Sequence, residues 1–400
     1  MKKKLMAVLL AATMVVSLSA CGGGEKKTDD APVSTEAEAE APAEGDATEQ
    51  SEEPAAEEEA PADNAAASGE KPYIAIVSKG FQHQFWQVVK KGAEQAAQDL
   101  NVDITFDGPP SESDVAIQVD MLKSALDKNP QAICLAALDT ESVDEQLNDC
   151  LKRGIPVVGF DSGVPNAPEG SIYATASTDN KAAAALAAEN LYANADFKAK
   201  LDAATPDAPI TIGVLSQDAI SESIISRTTG FVDKMVELVG DGDVQVTGHD
   251  KYKKEADNGA KLIINVNVPA TTSAADQKTA AESMLTSGNI TAIYGSNENA
   301  AGGILAASND GNDFNKDNGK YADIIAIGFD AGKTQRVAVE NGWFYGSVTQ
   351  DPFQIGYMAV ELANNAINGQ PAENEIVDTG AKWYNAENLS DPSISELVYE

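Results

Sequence analysis

From Tyr73 onward the chain alternates short apolar runs with longer stretches in which apolar residues recur every three or four positions. The short runs read as strands buried on both faces, and the longer stretches as amphipathic helices. Residues 73–78 form the first strand and 85–100 the first helix, with Val89, Ala93, Ala96 and Leu100 on one face. Strand 102–106, helix 113–128, strand 132–137, helix 142–153, strand 156–160, strand 171–174 and helix 179–195 follow. Gly154 stands just past one of these helices, where a C-terminal stop belongs. After the breakers Pro206 and Pro209 a second series opens with strand 210–215, helix 221–239, strand 261–268 and helix 274–286. Strand 291–295, helix 298–308, strand 323–328, helix 333–341, strand 343–348, helix 353–368 and a last strand 375–379 complete it. This alternation predicts an α/β fold with parallel sheets clad by helices on both faces and right-handed crossovers. A body of about 330 residues exceeds one usual core, so two domains are expected.

The segment ahead of this body has a different pattern. Lys2, Lys3 and Lys4 precede an apolar run from Leu5 to Ala20. At about 16 residues the run is shorter than a membrane span requires, and it reads as a signal peptide, residues 1–20. It closes on Leu18-Ser19-Ala20-Cys21, which resembles the lipobox of bacterial lipoproteins and marks Cys21 for lipidation. Residues 21–70 are almost wholly Ala, Glu, Asp, Pro, Ser, Thr and Gly, with 16 acids against Lys26 and Lys27 from residue 25 on. Such a stretch cannot bury enough apolar surface to fold. It reads as an acidic, disordered tether extended beyond the roughly 40 Å expected of a neutral coil of its length. The expected location is the outer face of the cell membrane, lipid-anchored, and the tether's length points to a Gram-positive surface.

Charge and composition remove several function classes. The net charge is −35, and Arg153, Arg227 and Arg336 are the sole arginines, which argues against nucleic acid as a partner. His83 and His249 are the two histidines, and neither CxxC nor HExxH spacing occurs, so no metal site is expected. No GxGxxG or GxxxxGK[ST] follows a strand, so no nucleotide cofactor is expected. Cys134 and Cys150 fall on apolar faces and read as buried thiols, with a disulfide as the alternative.

In open parallel sheets ligands bind beyond the carboxyl ends of the strands. The positions that follow the predicted strands are 79–86, Asp139, Asp161-Ser162, 216–218, Asn297-Glu298, Asp330 and Gln350-Asp351. Carboxylates and amides accept and donate in fixed directions, which suits hydroxyl groups. Aromatic rings cover the apolar face of a sugar. Phe85 and Trp86 supply rings, while Asp161, Asn297, Asp330 and Gln350 supply directional polar groups, and His83 stands beside the rings. Adjacent helix positions point about 100° apart, so Phe85 and Trp86 are not both expected to face the core. Asp161 and Asp330 could alternatively serve as helix N-caps.

These motifs resemble the type I periplasmic sugar-binding proteins, and within them the ribose-binding-protein-like group. The likeness spans residues 71–379. It rests on Phe85-Trp86, Gly159-Phe160-Asp161, Gly295-Ser296-Asn297-Glu298, Gly328-Phe329-Asp330, Val348-Thr349-Gln350-Asp351-Pro352 and Gln354-Ile355-Gly356. The resemblance implies two Rossmann-like lobes joined by a hinge crossed three times. The first lobe would hold residues 71–176 and 351–379, the second 177–350 and 380–400. It further implies a monomer that closes on a small sugar and docks on an ABC permease, with Arg227 or Ile225, depending on register, at a binding position. Three departures stand out. Ser162 follows Asp161 where the group has arginine, Thr271-Thr272 replace a second aromatic partner, and residues 241–260 read as an insertion. Two other roles fit the same residues, a sensor presenting its ligand to a receptor and a glycoside-processing enzyme using paired carboxylates.

Overall fold

Strands such as Ala132–Leu135, with every residue buried, can exist only where helices cover both faces of a sheet. The computed structural model describes residues 71–399 apart from Gln82 and Asn258. The signal peptide, Cys21 and the acidic tether lie outside the described residues.

The first half runs β1 Tyr73–Val77, α1 Gln84–Leu100, β2 Asp103–Asp107, α2 Val115–Asp127, β3 Ala132–Leu135, α3 Asp144–Arg153, β4 Val157–Phe160 and β5 Ile172–Ser177. The second runs α4 Asn180–Ala193, α5 Ala195–Ala203, β6 Ile210–Leu215, α6 Glu222–Val239, β7 Val244–Gly248, β8 Leu262–Asn267, α7 Ala274–Thr286 and β9 Ile290–Gly295. It continues with α8 Glu298–Ala306, β10 Ile325–Phe329, α9 Lys333–Glu340 and β11 Phe344–Gln350. Helix α10 Pro352–Ile367, β12 Ile376–Asp378, β13 Ala381–Tyr384 and α11 Pro392–Ser395 end the chain.

Two sheets result, ordered β12-β5-β4-β3-β1-β2 and β13-β11-β10-β9-β6-β8-β7. The chain passes between them after β5, after β11 and after β12. Strand order reverses at β1 in one sheet and at β6 in the other, so each has its crevice at the carboxyl ends of those strands and their neighbours.

Several local expectations are corrected. The second sheet is not purely parallel, because β13 pairs antiparallel with β11 at its edge. The helix expected over 179–195 ends at Ala193, where Asn194 accepts from the amides of Asp196 and Phe197 and starts α5. Residues 241–260 supply an edge strand, β7, which pairs with β8. Cys134 and Cys150, by contrast, are both free and buried as expected, and the disulfide alternative falls away. Burial pushes the Cys150 thiol up to about 11.

Helices α1 and α10 meet through two glycines. A Cβ on Gly92 would lie 1.9 Å from the Phe353 carbonyl oxygen, and one on Gly356 would lie 1.9 Å from that of Val89. The backbones touch because neither position has a side chain. Gly356→Val is therefore expected to force α1 and α10 apart and lower stability by about 3 kcal/mol, with a variant at exposed Lys91 as the neutral comparison in chemical denaturation.

Candidate functional site

The triplet Gly-Phe-Asp ends a strand in each lobe, and its local chemistry is the same in both. Asp161 and Asp330 adopt left-handed backbone, φ 57° and φ 75°, a region Asp tolerates better than most residues. Each amide still completes its sheet, Asp161 to the Ala176 carbonyl at 3.0 Å and Asp330 to that of Val348 at 2.6 Å. The turned carbonyls are held in place. Ser177 Oγ donates to Asp161 O at 2.8 Å. Asp330 O accepts from Ser347 Oγ, Tyr384 OH and Gln335 Nε2, each at 2.9 Å. The preceding glycine makes room, since a Cβ on Gly328 would stand 2.2 Å from Gln335 Nε2. This geometry turns both carboxylates off the strand ends and into the space between the lobes.

A small cavity, about 20 Å³, lies there. His83, Phe85, Trp86, Asp161, Arg227, Asn297, Asp330 and Gln350, all singled out from the sequence, line it together with Lys79, Glu112, Ile224 and Glu298. Asp139 and Asp351, also at strand ends, do not. Asp139 accepts from the amides of Glu141 and Ser142, and Asp351 caps α10 through the Gln354 amide.

Both cations at the cavity are matched by carboxylates. Lys79 Nζ stands 3.0 Å from Asp161 Oδ2 and donates to Ser223 Oγ at 3.0 Å. Burial works against its charge, but Asp161 and Glu112 outweigh it and raise the ammonium above its ordinary value. Arg227, 2% exposed, donates to Asn180 Oδ1 at 2.7 Å and lies 4.0 Å over the Phe329 ring. Its Nη1 is 3.7 Å from Asp330 Oδ2. Asp330 also accepts from Gln350 Nε2 at 2.6 Å and from the Glu298 amide at 2.8 Å. The N-cap alternative therefore holds in part for Asp330, which caps α8 from another strand. Asp161 caps no helix among the described residues.

Phe85 and Trp86 are both buried, 6% and 1% exposed, and both join the core, which corrects the expectation that they would not, although both also line the cavity. Their rings meet edge to face at 5.0 Å, and Trp86 packs edge-on against Phe160. Both rings line the cavity and both belong to the apolar core of this half, so the start of α1 is buried on adjacent faces. Trp86 Nε1 donates to Glu112 Oε1 at 2.8 Å, and Gln217 Nε2 donates to Glu112 Oε2 at 2.9 Å from the opposite lobe. Burial alone would raise the Glu112 pKa, but His83, Lys79, Trp86 and Gln217 together hold it below its ordinary value. His83 Nε2 lies 3.8 Å from Glu112 Oε1. Gln217 Oε1 accepts from Asn297 Nδ2 at 2.8 Å and Asn299 Nδ2 at 2.9 Å, while Asn297 Oδ1 caps α8 at Ala300. Gln350 Oε1 is buried and has no hydrogen-bond partner among the described residues.

Sequence reasoning did not single out Lys79, Glu112 or Gln217. Lys79 and Gln217 each stand two residues past β1 and β6, the first strand of each half, so the strand-end rule flagged their segments without choosing them. Glu112 lies in the loop after β2, whose Gly108-Pro109-Pro110 start reads only as a turn.

Two parallel-sheet lobes whose strand ends converge on a buried polar cavity define a cleft-type binding protein. The family model of the periplasmic binding protein domain matches residues 74–371, and the chain belongs to the type I periplasmic sugar-binding proteins. It is 25% identical over 297 residues, 73% of this chain and 83% of the relative, to the D-allose-binding periplasmic protein of Escherichia coli K12. A solved structure described as an ABC transporter, LacI family transcriptional regulator from Brachyspira murdochii is 40% identical with TM-score 0.69. That match covers 82% of this chain and 99% of the other. An ABC transporter solute-binding protein from Agrobacterium vitis with bound D-fucose is 26% identical with TM-score 0.68, covering 82% of this chain and all of the other.

Proposed function

We propose that this protein captures a small uncharged sugar between its lobes and delivers it to an ABC permease, with Cys21 as its lipid anchor. The lobes are assigned as residues 71–176 with 351–379 and 177–350 with the C-terminal stretch. The ligand contacts are assigned to His83, Phe85, Trp86, Asp161, Arg227, Asn297, Asp330 and Gln350. One observation carries the reading, the convergence of these side chains from both lobes on one cavity. Contacts to both lobes give a ligand the differential affinity that favours closure. Gln350 Oε1 offers a buried acceptor that a hydroxyl would satisfy. The cations argue for a neutral guest, since Lys79 faces Asp161 and Arg227 faces Asp330. A sugar acid or sugar phosphate would meet two further carboxylates, Glu112 and Glu298. The sugars named with the relatives, D-allose and D-fucose, have the required chemistry.

The test is a thermal-shift screen of neutral pentoses and hexoses, their phosphates and acids, and nucleosides. A neutral sugar at 100 times its Kd is expected to stabilise the protein by about 2.7 kcal/mol, and the phosphates and acids by nothing measurable. Asp161→Ala should abolish the shift. Stabilisation by a sugar phosphate alone, or an unchanged shift in that variant, would refute the assignment.

A further inference from the structure

Two helices that flank the cleft begin without a cap of their own. Helix α1 has His83 at its N-cap and no side-chain bond there, and α9 has Gly332, which has no side chain to give. The first amides of a helix have no partner within it and take acceptors from elsewhere. In both cases the acceptor comes from the opposite lobe. Gln84, the first residue of α1, accepts the Lys333 amide of α9 at 3.1 Å through Oε1. Glu298, the first residue of α8, accepts the Phe85 amide of α1. Gly332 is what lets Glu298 lie there, since a Cβ at that position would stand 2.5 Å from its Oε1.

We propose that the lobes close by exchanging helix caps, with Gln84 and Glu298 as positioning residues of a reciprocal latch, and that closure takes up a proton at Glu298. The latch is independent of which ligand fills the cavity, so it stands or falls separately from the sugar assignment. It places the start of α1, and with it Phe85 and Trp86, only when the cleft is shut.

The proton follows from what faces Glu298. Burial pushes its carboxyl up to about 7 from an ordinary 4.5, the His83 imidazole pulls it down, and the Asp330 carboxylate raises it. The Tyr399 hydroxyl donates to Oε2 at 3.4 Å from the C-terminal stretch. Tyr384 of β13 faces the same group. When the lobes part, Glu298 returns to water and to its ordinary value. A carboxyl whose pKa is higher in the closed state favours closure as pH falls through about 7, and the gain is complete below about 4.5. Glu112 is lowered by closure, so its opposing effect falls below its own ordinary value of 4.5, outside this window.

Small-angle scattering of the ligand-free full chain between pH 8 and pH 5 reads the closed-to-open ratio directly. The ratio is expected to rise roughly 50- to 100-fold over that range. Glu298→Gln keeps an acceptor for the Phe85 amide and should hold the ratio constant with pH. In Gln84→Ala the Lys333 amide should lose protection from hydrogen exchange while the α1 core amides keep theirs. A pH-independent wild type, a Glu298→Gln variant that retains the wild-type dependence, or an unaltered Lys333 amide would overturn the proposal.

Discussion

Asp330→Ala is expected to lower stability by about 3–5 kcal/mol and to abolish ligand capture together. The carboxylate serves three neighbours at once. Gln350 Nε2 and the Glu298 amide donate to it, and the Arg227 guanidinium lies 3.7 Å away. Removing one partner of a buried charge pair leaves the other uncompensated, and that accounts for the magnitude. Arg227 retains Asn180 and the Ser296 carbonyl, at 2.7 Å and 3.4 Å, but both are neutral. Alanine also tolerates a φ of 75° less well than aspartate. Asp330→Asn keeps an acceptor and the turn preference, so it should recover part of the loss. The measurement is the urea midpoint, with the slope unchanged. Equal midpoints for wild type and both variants would show that Asp330 does not hold Arg227.

How much of this was legible in the sequence differs by feature. Strand and helix alternation was plain, because strands covered on both faces lack polar positions and helices between them keep a regular face. Thus β6 and α7 match their predicted bounds at both ends, Ile210–Leu215 and Ala274–Thr286. The short edge elements were not legible. Strand β13 has four residues, and its antiparallel pairing with β11 depends on a tertiary neighbour. Strand β7 alternates Val244 and Val246 inward, but a charged surrounding masked it. In the site, strand-end positions and the family motifs brought eight residues to one cavity. What they could not show was how those residues are wired. Trp86 reads as a sugar-covering ring, and its indole N–H is committed to Glu112. Asn297 reads as a ligand-facing amide, and its two polar atoms reach Gln217 and the α8 start. Such links join residues 26 and 80 positions apart, and no local pattern encodes them.

The pairing of Lys79 with Asp161 allows fold and function to be separated by experiment. Both are buried, 4% and 3% exposed, at 3.0 Å. Lys79→Met strands the Asp161 carboxylate, and Asp161→Asn removes the nearest counter-charge of the ammonium and leaves it Glu112 alone at the cavity, so each single change should cost about 3–5 kcal/mol. The double variant removes both charges. Methionine fills the volume of the lysine stem, and asparagine accepts the φ of 57° at position 161. Stability should therefore return to within about 1 kcal/mol of wild type, leaving a large coupling energy in the double-mutant cycle. Ligand capture should not return, because the guest loses a charged acceptor whose hydrogen bonds contribute about 1.5–3 kcal/mol each. The sign of the pH effect follows from the raised ammonium. Its stabilising contribution is complete below the ordinary 10.5 and declines only as pH rises beyond it. Wild type should accordingly lose stability at strongly alkaline pH where the double variant does not. A double variant as unstable as the singles would mean that Lys79 and Asp161 act through Ser223 and Glu112 rather than through each other.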